Sequence, residues 1–562
     1  LKEINNMLKP LSLAVFAALA PLAHAAEPPV SPDAGNILQQ LKPTTPPPPA
    51  NSSTGLSIQG GKAGQLPDSA AFLVQRLTLS GNSHIDSATL HALIADAEGK
   101  SLTLAQLGAV ANRITEYYHT HDYPLARAVI PAQTIKDGVV DIEVLEASYG
   151  KVTLKNESRV RDALLEATLA PLKSGDVIEQ SELDHVLLLL SDVPKIAVQA
   201  VIKPGEAVGT SNLDVTALPG PSVTGIATVD DYGNRYTGRA RLGGTVSVME
   251  PLQQGDYLSL SGLTSGDDMN YARLSYEATV TGSGTRVGAA YSGLHYKLGN
   301  GLESLHGDGT ATVASLWGKQ PLVRGPTLNV YAQLQYDRVK LDDSLDADVI
   351  RTDRHLDNFT ASLTGDVRDA SLAGAVSTAN LSVTAGRVDF DNVSAQIADA
   401  ATAKSDGTYS KWNVNLARLQ KLTPTNGLYL SFAGQWSRDN LDSSEKLIGG
   451  GPYTVRAYDL GVVSGDTGVF GTAEFQHDLG SLWNGQWQGV IFYDSEHLTV
   501  DKKPWVAGAN VATLNGAGMG LNWSGPHHWS AKASVATRIG GLPYLAGDNA
   551  SVHVWAEINR EF

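Results

Sequence analysis

The chain has 562 residues, no cysteine, 56 glycines and a formal net charge of -16. Without cysteine it can hold neither a disulfide framework nor a thiolate metal site, and its acidity argues against a nucleic-acid partner. The length allows several domains, at roughly 100–200 residues each, and beyond the N-terminal region no apolar run of about 18 residues offers a helical membrane anchor.

Residues 1–25 read as an address. Lys9 gives a positive start, Leu11 to Leu22 is an apolar run, and Ala23-His24-Ala25 is a small-x-small cleavage site, the pattern of a secretory signal peptide. Within residues 26–43, Asp33 to Lys42 is a short helix candidate. Asp33 caps it, Ile37, Leu38 and Leu41 form its apolar stripe, and Pro43 ends it. Residues 44–66 carry Pro46 to Pro49, then Ser and Gly, the composition of a linker.

Two similar modules follow. In residues 67–147 the alternation predicts a strand over Phe72–Leu79, helices over Ser87–Ala97 and Leu104–His119, and strands over Ala128–Ile130 and Gly138–Leu145. In residues 148–219 the order recurs: strand Lys151–Asn156, helices Arg159–Leu169 and Ser181–Leu190, strands Ile196–Ile202 and Asn212–Thr216. This β-α-α-β-β order repeats with a period of about 75 residues.

From residue 220 onward helical periodicity gives way to period two. Leu328, Val330, Ala332, Leu334 and Tyr336 alternate with Asn329, Gln333, Gln335 and Asp337; Ala379, Leu381, Val383 and Ala385 alternate with Asn380, Ser382 and Thr384. At about 10 residues per strand plus turns, this region holds about sixteen strands. In the last stretch Val552, Val554, Ala556 and Ile558 share a face, His553, Glu557 and Asn559 lie between them, and Trp555 interrupts the polar side. A strand in lipid cannot leave its edge amides unpaired, so this one must close a barrel. The expected fold is a transmembrane antiparallel β-barrel of about 16 strands behind two small α/β modules. A large soluble β-sandwich is the alternative.

Chemistry-bearing constellations are sparse. His119 and His121 are spaced i, i+2 and do not share a helical face, so they do not suggest a metal site. Gly449 to Gly451 lacks the Lys-Ser/Thr of a phosphate loop, and there is no Gly-x-Ser-x-Gly nucleophile elbow. The paired acids Asp230-Asp231 and Asp267-Asp268 offer the only enzyme reading, an omptin-type protease, which has no use for the tandem modules. No catalytic residue, metal or cofactor is expected.

Several motifs resemble one family. Tyr123-Pro124-Leu125-Ala126-Arg127-Ala128 and Asp137 to Val144 resemble the end of a first POTRA domain, and Leu189 to Pro194 with Gly209 to Leu213 the end of a second. Asp231-Tyr232-Gly233 with Tyr236 to Arg239 resembles the start of the barrel that follows them. Gly449 to Tyr458 resembles the tip of a long loop that folds back into that barrel. On these residues the chain resembles the outer-membrane transporters of two-partner secretion, the TpsB family that includes FhaC, ShlB and HxuB.

The resemblance implies a Gram-negative outer-membrane pore with its POTRA domains at 67–147 and 148–219 in the periplasm and its barrel over 220–562. Its implied activity is the export, without ATP, of an unfolded TpsA exoprotein: an adhesin, haemolysin, haem-binding protein or toxin. Outer-membrane lipids surround such a barrel, and periplasmic chaperones and the barrel-assembly machinery serve its biogenesis. Residues 26–43, with Ile37, Leu38 and Leu41, become a plug helix lying in the pore. Val455, Arg456 and Tyr458 become the loop motif, with Arg456 latched to Asp494 beside Phe492, and Phe562 the terminal barrel signal. Ala457 and Glu496 stand where the family usually has Gly. For partner binding the second module offers the helix residues Leu183, Val186, Leu187 and Leu190 beside the edge-strand residues Val198, Ala200 and Ile202, although an apolar run such as Val186–Leu190 is also what a buried helix face looks like. The alternative function is an assembly or insertion factor like BamA or TamA, relatives that carry more POTRA modules and usually lack the linker and plug.

Overall fold

A computed structural model describes residues 32–41, 50–59, 69–345 and 350–562. The address peptide and most of the linker lie outside the described residues.

From Val223 the chain forms a closed barrel of sixteen antiparallel strands. The last strand, Val552–Glu561, pairs with the first, Val223–Asp230, in the register Ile226↔Glu561 to Asp230↔Glu557. The seam is extended by Gly225 and Phe562, whose N–H groups each donate to the other's carbonyl, at 2.8 and 3.0 Å. Gly225 is required there, because a Cβ would lie 2.5 Å from the Phe562 ring. Every strand thus has two partners, which removes the open edges that lipid would not tolerate.

The period-two pattern follows the wall. Leu334, Phe359 and Leu381 face outward, 70%, 63% and 41% exposed in the isolated chain, whereas Gln335, Asp337, Ser382 and Thr384 line the interior. Strand length runs from 8 residues in Val223–Asp230 to 20 in Ile350–Asp369. About 10 residues span the bilayer, so the long strands stand well clear of it on one side of the barrel. In the last strand Val552, Val554 and Ile558 are exposed outward while His553 and Trp555 are buried inside.

The first module has a three-stranded sheet in the order Arg76–Ser80, Val139–Leu145, Arg127–Val129. Helices Ser87–Ala92 and Leu104–Thr120 pack on it through Leu90, Leu107, Ile114 and Tyr118. Thr103 and Gln106 form a capping box at the start of the long helix. The single strand expected over Phe72–Leu79 is broken at Gln75: Phe72–Val74 leaves the sheet to pair with Lys100–Leu102. The helix expected over Ser87–Ala97 also ends early, followed by a short 3₁₀ turn at Ala95–Ala97.

The second module has a four-stranded sheet, and one strand does not belong to it in sequence. The order is Leu56–Ile58, Ile196–Pro204, Thr210–Pro219, Ser148–Asn156. Leu56–Ile58 comes from the stretch expected to be a structureless linker, and it pairs in parallel with Ala200–Ile202. Gly55 turns the linker onto this edge at φ 62°, where a Cβ would lie 2.1 Å from the Val198 carbonyl oxygen. Helix Gln180–Ser191 ends at the barrel mouth, where Arg324 donates to both carboxylate oxygens of Asp192 at 2.7 and 2.8 Å.

At the end of the first module Glu146 accepts hydrogen bonds from the Ser83 and His84 amides and from the Tyr118 hydroxyl at 2.9, 3.0 and 2.7 Å. Burial works against its charged form. The hydrogen bonds from His84, Ser83 and Tyr118 outweigh that effect and hold Glu146 at about 2, below its ordinary 4.5. A depressed carboxylate contributes stability above its unfolded value and loses it as the pH falls toward the folded one. Amide protection factors in residues 72–147, corrected for the intrinsic exchange rate at each pH, should therefore fall progressively between pH 4.5 and 2, and Glu146→Gln should flatten that dependence.

Candidate functional site

Among the described residues, two elements that are not part of the wall occupy the barrel interior. One is the connection between strands Asn426–Ser437 and Thr467–Leu482, which folds inward as a loop. The other is helix Ala34–Gln40.

The loop turns at its glycines. Gly450 and Gly451 have φ of 77° and 106°, and a Cβ on Gly450 would lie 2.4 Å from the Asp459 carbonyl oxygen. The turn presents Arg456 to the wall. Its Nε and Nη2 donate to Oδ2 and Oδ1 of Asp494 at 2.9 and 2.8 Å, and its own amide also donates to Oδ2 at 3.1 Å. Nη1 donates to Glu474 Oε2 at 2.8 Å and Nη2 to Thr472 Oγ1 at 3.2 Å. The guanidinium lies 3.2 Å above the ring centroid of Phe492. A planar fork matched to a carboxylate and stacked on an aromatic face uses the properties that distinguish Arg from Lys. Val455 and Tyr458 are fully buried beside it, with Phe492 in the same apolar cluster.

The departures at Ala457 and Glu496 have local answers. Ala457 is not among the positive-φ residues, and its methyl sits where Gly516 leaves space: a Cβ there would be 2.5 Å away. Glu496 is buried under the glycine turn and accepts the Gly450 amide at 3.2 Å. A further tie was not expected: Trp555 Nε1 donates to the Arg456 carbonyl at 2.7 Å. Its sequence signal was the interruption of the polar face in the last strand.

The helix lies within the barrel with Ile37 and Leu38 buried, 1% and 5% exposed, and Leu41 packed alongside them. Asp33 caps it by accepting the Asn36 amide at 2.8 Å. The other Asp33 oxygen accepts from Arg354 Nη2 at 2.9 Å and from the Ser443 hydroxyl at 2.7 Å. Arg354 is buried and also donates to Asp343 on the adjacent strand at 2.9 Å and to Asp442 and Ser443 of the loop. Asp343 in turn accepts the Ala34 amide at 2.8 Å. One guanidinium therefore joins wall, loop and helix. Arg354, Asp343 and Asp442 carried no sequence signal, because each looks like any polar residue of a lumen strand or loop. A cavity of 440 Å³ remains beside the helix and loop, with Gln335, Asp337, Asn413 and Gln435 in its lining.

The partner-binding expectation requires correction. Leu183, Val186, Leu187 and Leu190 are at most 1% exposed and form the core of the second module, so they cannot meet a partner without unfolding it. Ala200 and Ile202 are buried in the same core and Val198 packs against it. What this strand offers is its main-chain edge, and Leu56–Ile58 occupies part of it.

A sixteen-stranded barrel with an in-folded loop, preceded by two small α/β modules, is the architecture of an outer-membrane barrel protein whose modules lie in the periplasm. Residues 209–523 match the family model described as haemolysin secretion/activation protein ShlB/FhaC/HecB, and residues 72–147 match the ShlB-type POTRA domain. The chain belongs to the ShlB/FhaC/HecB family of two-partner secretion transporters. It is 26% identical over 556 residues to the heme/hemopexin transporter protein HuxB of Haemophilus influenzae (strain 86-028NP), covering 94% of this chain and 95% of that protein. It is 25% identical over 500 residues to the outer membrane transporter CdiB of Escherichia coli O6:K15:H31 (strain 536 / UPEC), covering 83% and 82%. In fold it is similar to the solved structure of CdiB from Escherichia coli, with a TM-score of 0.69 at 22% identity over 94% of this chain and 96% of that one. BamA from Haemophilus ducreyi lacking POTRA domains 1–3 shares the fold more distantly, with a TM-score of 0.53 at 14% identity over 87% of this chain and all of that one.

Two outcomes are expected at this site. Arg456→Ala leaves Asp494 buried without its cation, a loss of about 3–5 kcal/mol for the in-folded loop. Loop residues 438–466 should become accessible to protease while the barrel still inserts as a folded, heat-modifiable protein. Gly35→Ala places a Cβ 2.4 Å from Ser443 Oγ. Although alanine favours the helix itself by about 1 kcal/mol, it should unseat the helix and increase single-channel open time several-fold.

Proposed function

We propose that this chain is the pore through which one dedicated, unfolded exoprotein passes from periplasm to cell surface without ATP, after recognition by the periplasmic modules. The observation that carries this reading is the interior itself: among the described residues the lumen holds a helix and a loop whose contacts with the lumen face of the wall are hydrogen bonds, ion pairs and apolar packing. Such elements can leave without breaking the wall. The helix is the one suited to leave first, because a Pro-rich linker tethers it at a reach of about 3.1 Å per residue.

Recognition falls to the edge of strand Ile196–Pro204. An extended partner that displaced Leu56–Ile58 would gain the same main-chain hydrogen bonds, a recognition mode known as strand addition. The exported partner belongs with the secreted adhesins, haemolysins, haem-binding proteins and toxins of two-partner systems, in keeping with the relatives' names as a heme/hemopexin transporter and an outer membrane transporter.

In a planar bilayer the full chain should be mostly closed, and the same protein lacking residues 26–42 should open steadily. A folded barrel that stays closed in both forms would count against the plugged-pore reading and would favour an insertion factor.

A further inference from the structure

Besides the lumen helix and strand Leu56–Ile58, the N-terminal arm is held at a third place, by the main chain of Ala50. At the barrel mouth facing the second module, the Ala50 N–H donates to Asp366 Oδ1 at 2.9 Å. The Ala50 carbonyl accepts from Arg368 Nη2. Asp366 and Arg368 lie two residues apart on strand Ile350–Asp369 and so share its inner face. They are also joined directly, with Arg368 Nη1 donating to Asp366 Oδ2 at 2.7 Å.

The pair is braced from behind. Asn329 Nδ2 donates to Asp366 Oδ2 at 3.0 Å, and Asn329 Oδ1 accepts from Arg324 Nη1 at 2.8 Å. Arg324 is the residue that grips Asp192 of the second module. Asn329 and Arg324 are 0% and 2% exposed, so the acceptor is fixed in place before anything binds. A 330 Å³ cavity adjoins Ala50, with Leu189, Lys319 and Tyr331 in its lining, and leaves room for side chains larger than a methyl group.

We propose that Asp366 and Arg368 form a main-chain clamp for an extended polypeptide, held at rest by the chain's own Ala50 and during passage by successive residues of the exported partner. The inference rests on the transport reading above. Its chemistry is one fixed acceptor and one fixed donor set to the N–H and C=O of a single residue. Every residue except proline offers both groups, so the clamp grips without reading sequence, as the mouth of a pore for a long and varied chain requires. The bracing through Arg324 to Asp192 places it at the hand-over from the second module to the barrel.

The test uses the full-length protein with Ala50→Pro, which removes the resting N–H and vacates the clamp, and with benzoylphenylalanine in place of Tyr331 as a photo-cross-linker. The probes are two short synthetic peptides of unrelated, proline-free sequence and their backbone N-methylated forms. Both unmodified peptides should cross-link at position 331 to a similar extent. N-methylation, or Arg368→Ala, should weaken capture about tenfold, the loss expected for a hydrogen bond to a charged group. Arg368→Ala takes from buried Asp366 its cation while Asn329 still donates to it, so closure of the variant barrel is checked by heat-modifiability, and the N-methylated peptides, which leave the protein unaltered, test the clamp independently. Cross-linking of only one peptide, or capture indifferent to both N-methylation and Arg368→Ala, would overturn the clamp. Because capture is read without transport, a pore that stays closed after plug removal would count against the transport reading while leaving the clamp to stand or fall on this result.

Discussion

The resting arrangement depends on one buried guanidinium. Arg354 lies on the barrel wall and donates to three carboxylates that belong to three different parts of the molecule: Asp343 of the neighbouring strand, Asp442 of the in-folded loop and Asp33 at the N-cap of the lumen helix. In a desolvated interior, removing this guanidinium would leave buried carboxylates uncompensated at a cost of about 3–5 kcal/mol, whereas withdrawing Asp33 alone leaves it paired with Asp343 and Asp442. Helix and loop are therefore coupled. Withdrawal of Asp33 changes the electrostatics that hold Asp442, and release of the loop removes one of the helix's anchors. Gly35 permits the close approach, since any Cβ there would strike Ser443 and Ser444.

Arg456 fixes the far end of the same loop. It ties the loop tip to Asp494 and Glu474 on two strands, and its carbonyl is held by Trp555 from the strand that closes the barrel. Loop position and barrel closure thus share residues. The two arginines differ in what they hold. Arg456 joins loop to wall alone, while Arg354 also holds the lumen helix. On the periplasmic side the arm touches the molecule twice more, by a strand on the second module and by Ala50 on the wall.

Much of the fold was legible in the sequence because lipid and lumen impose period two on every strand, and a wrong register would turn an entire face the wrong way. The last strand showed this most plainly, with Val552, Val554 and Ile558 outward. The site was less legible. Arg456 and Asp494 are 38 residues apart, and nothing in the spacing joins them; the resemblance to a family did. Arg354 and Asp33, 321 residues apart, had no such help. The groove residues were misplaced for a different reason: Leu183, Val186, Leu187 and Leu190 have the same periodicity whether a helix face meets a core or a partner. Leu56-Ser57-Ile58 was hidden because three residues in a Pro, Ser and Gly context carry no strand signal of their own. Only the open edge beside them makes them a strand.

On the proposed reading the helix seals the pore only while it is held against the wall. The chain has no cysteine, so an engineered pair is unique. Ala34→Cys with Asp343→Cys joins the two residues whose amide and carboxylate meet at 2.8 Å, and conductance of this protein in a planar bilayer, oxidised and then reduced, tests the claim directly. Silence is expected while the disulfide tethers the helix, and frequent openings once reduction frees it. Equal conductance in the two states would contradict that reading.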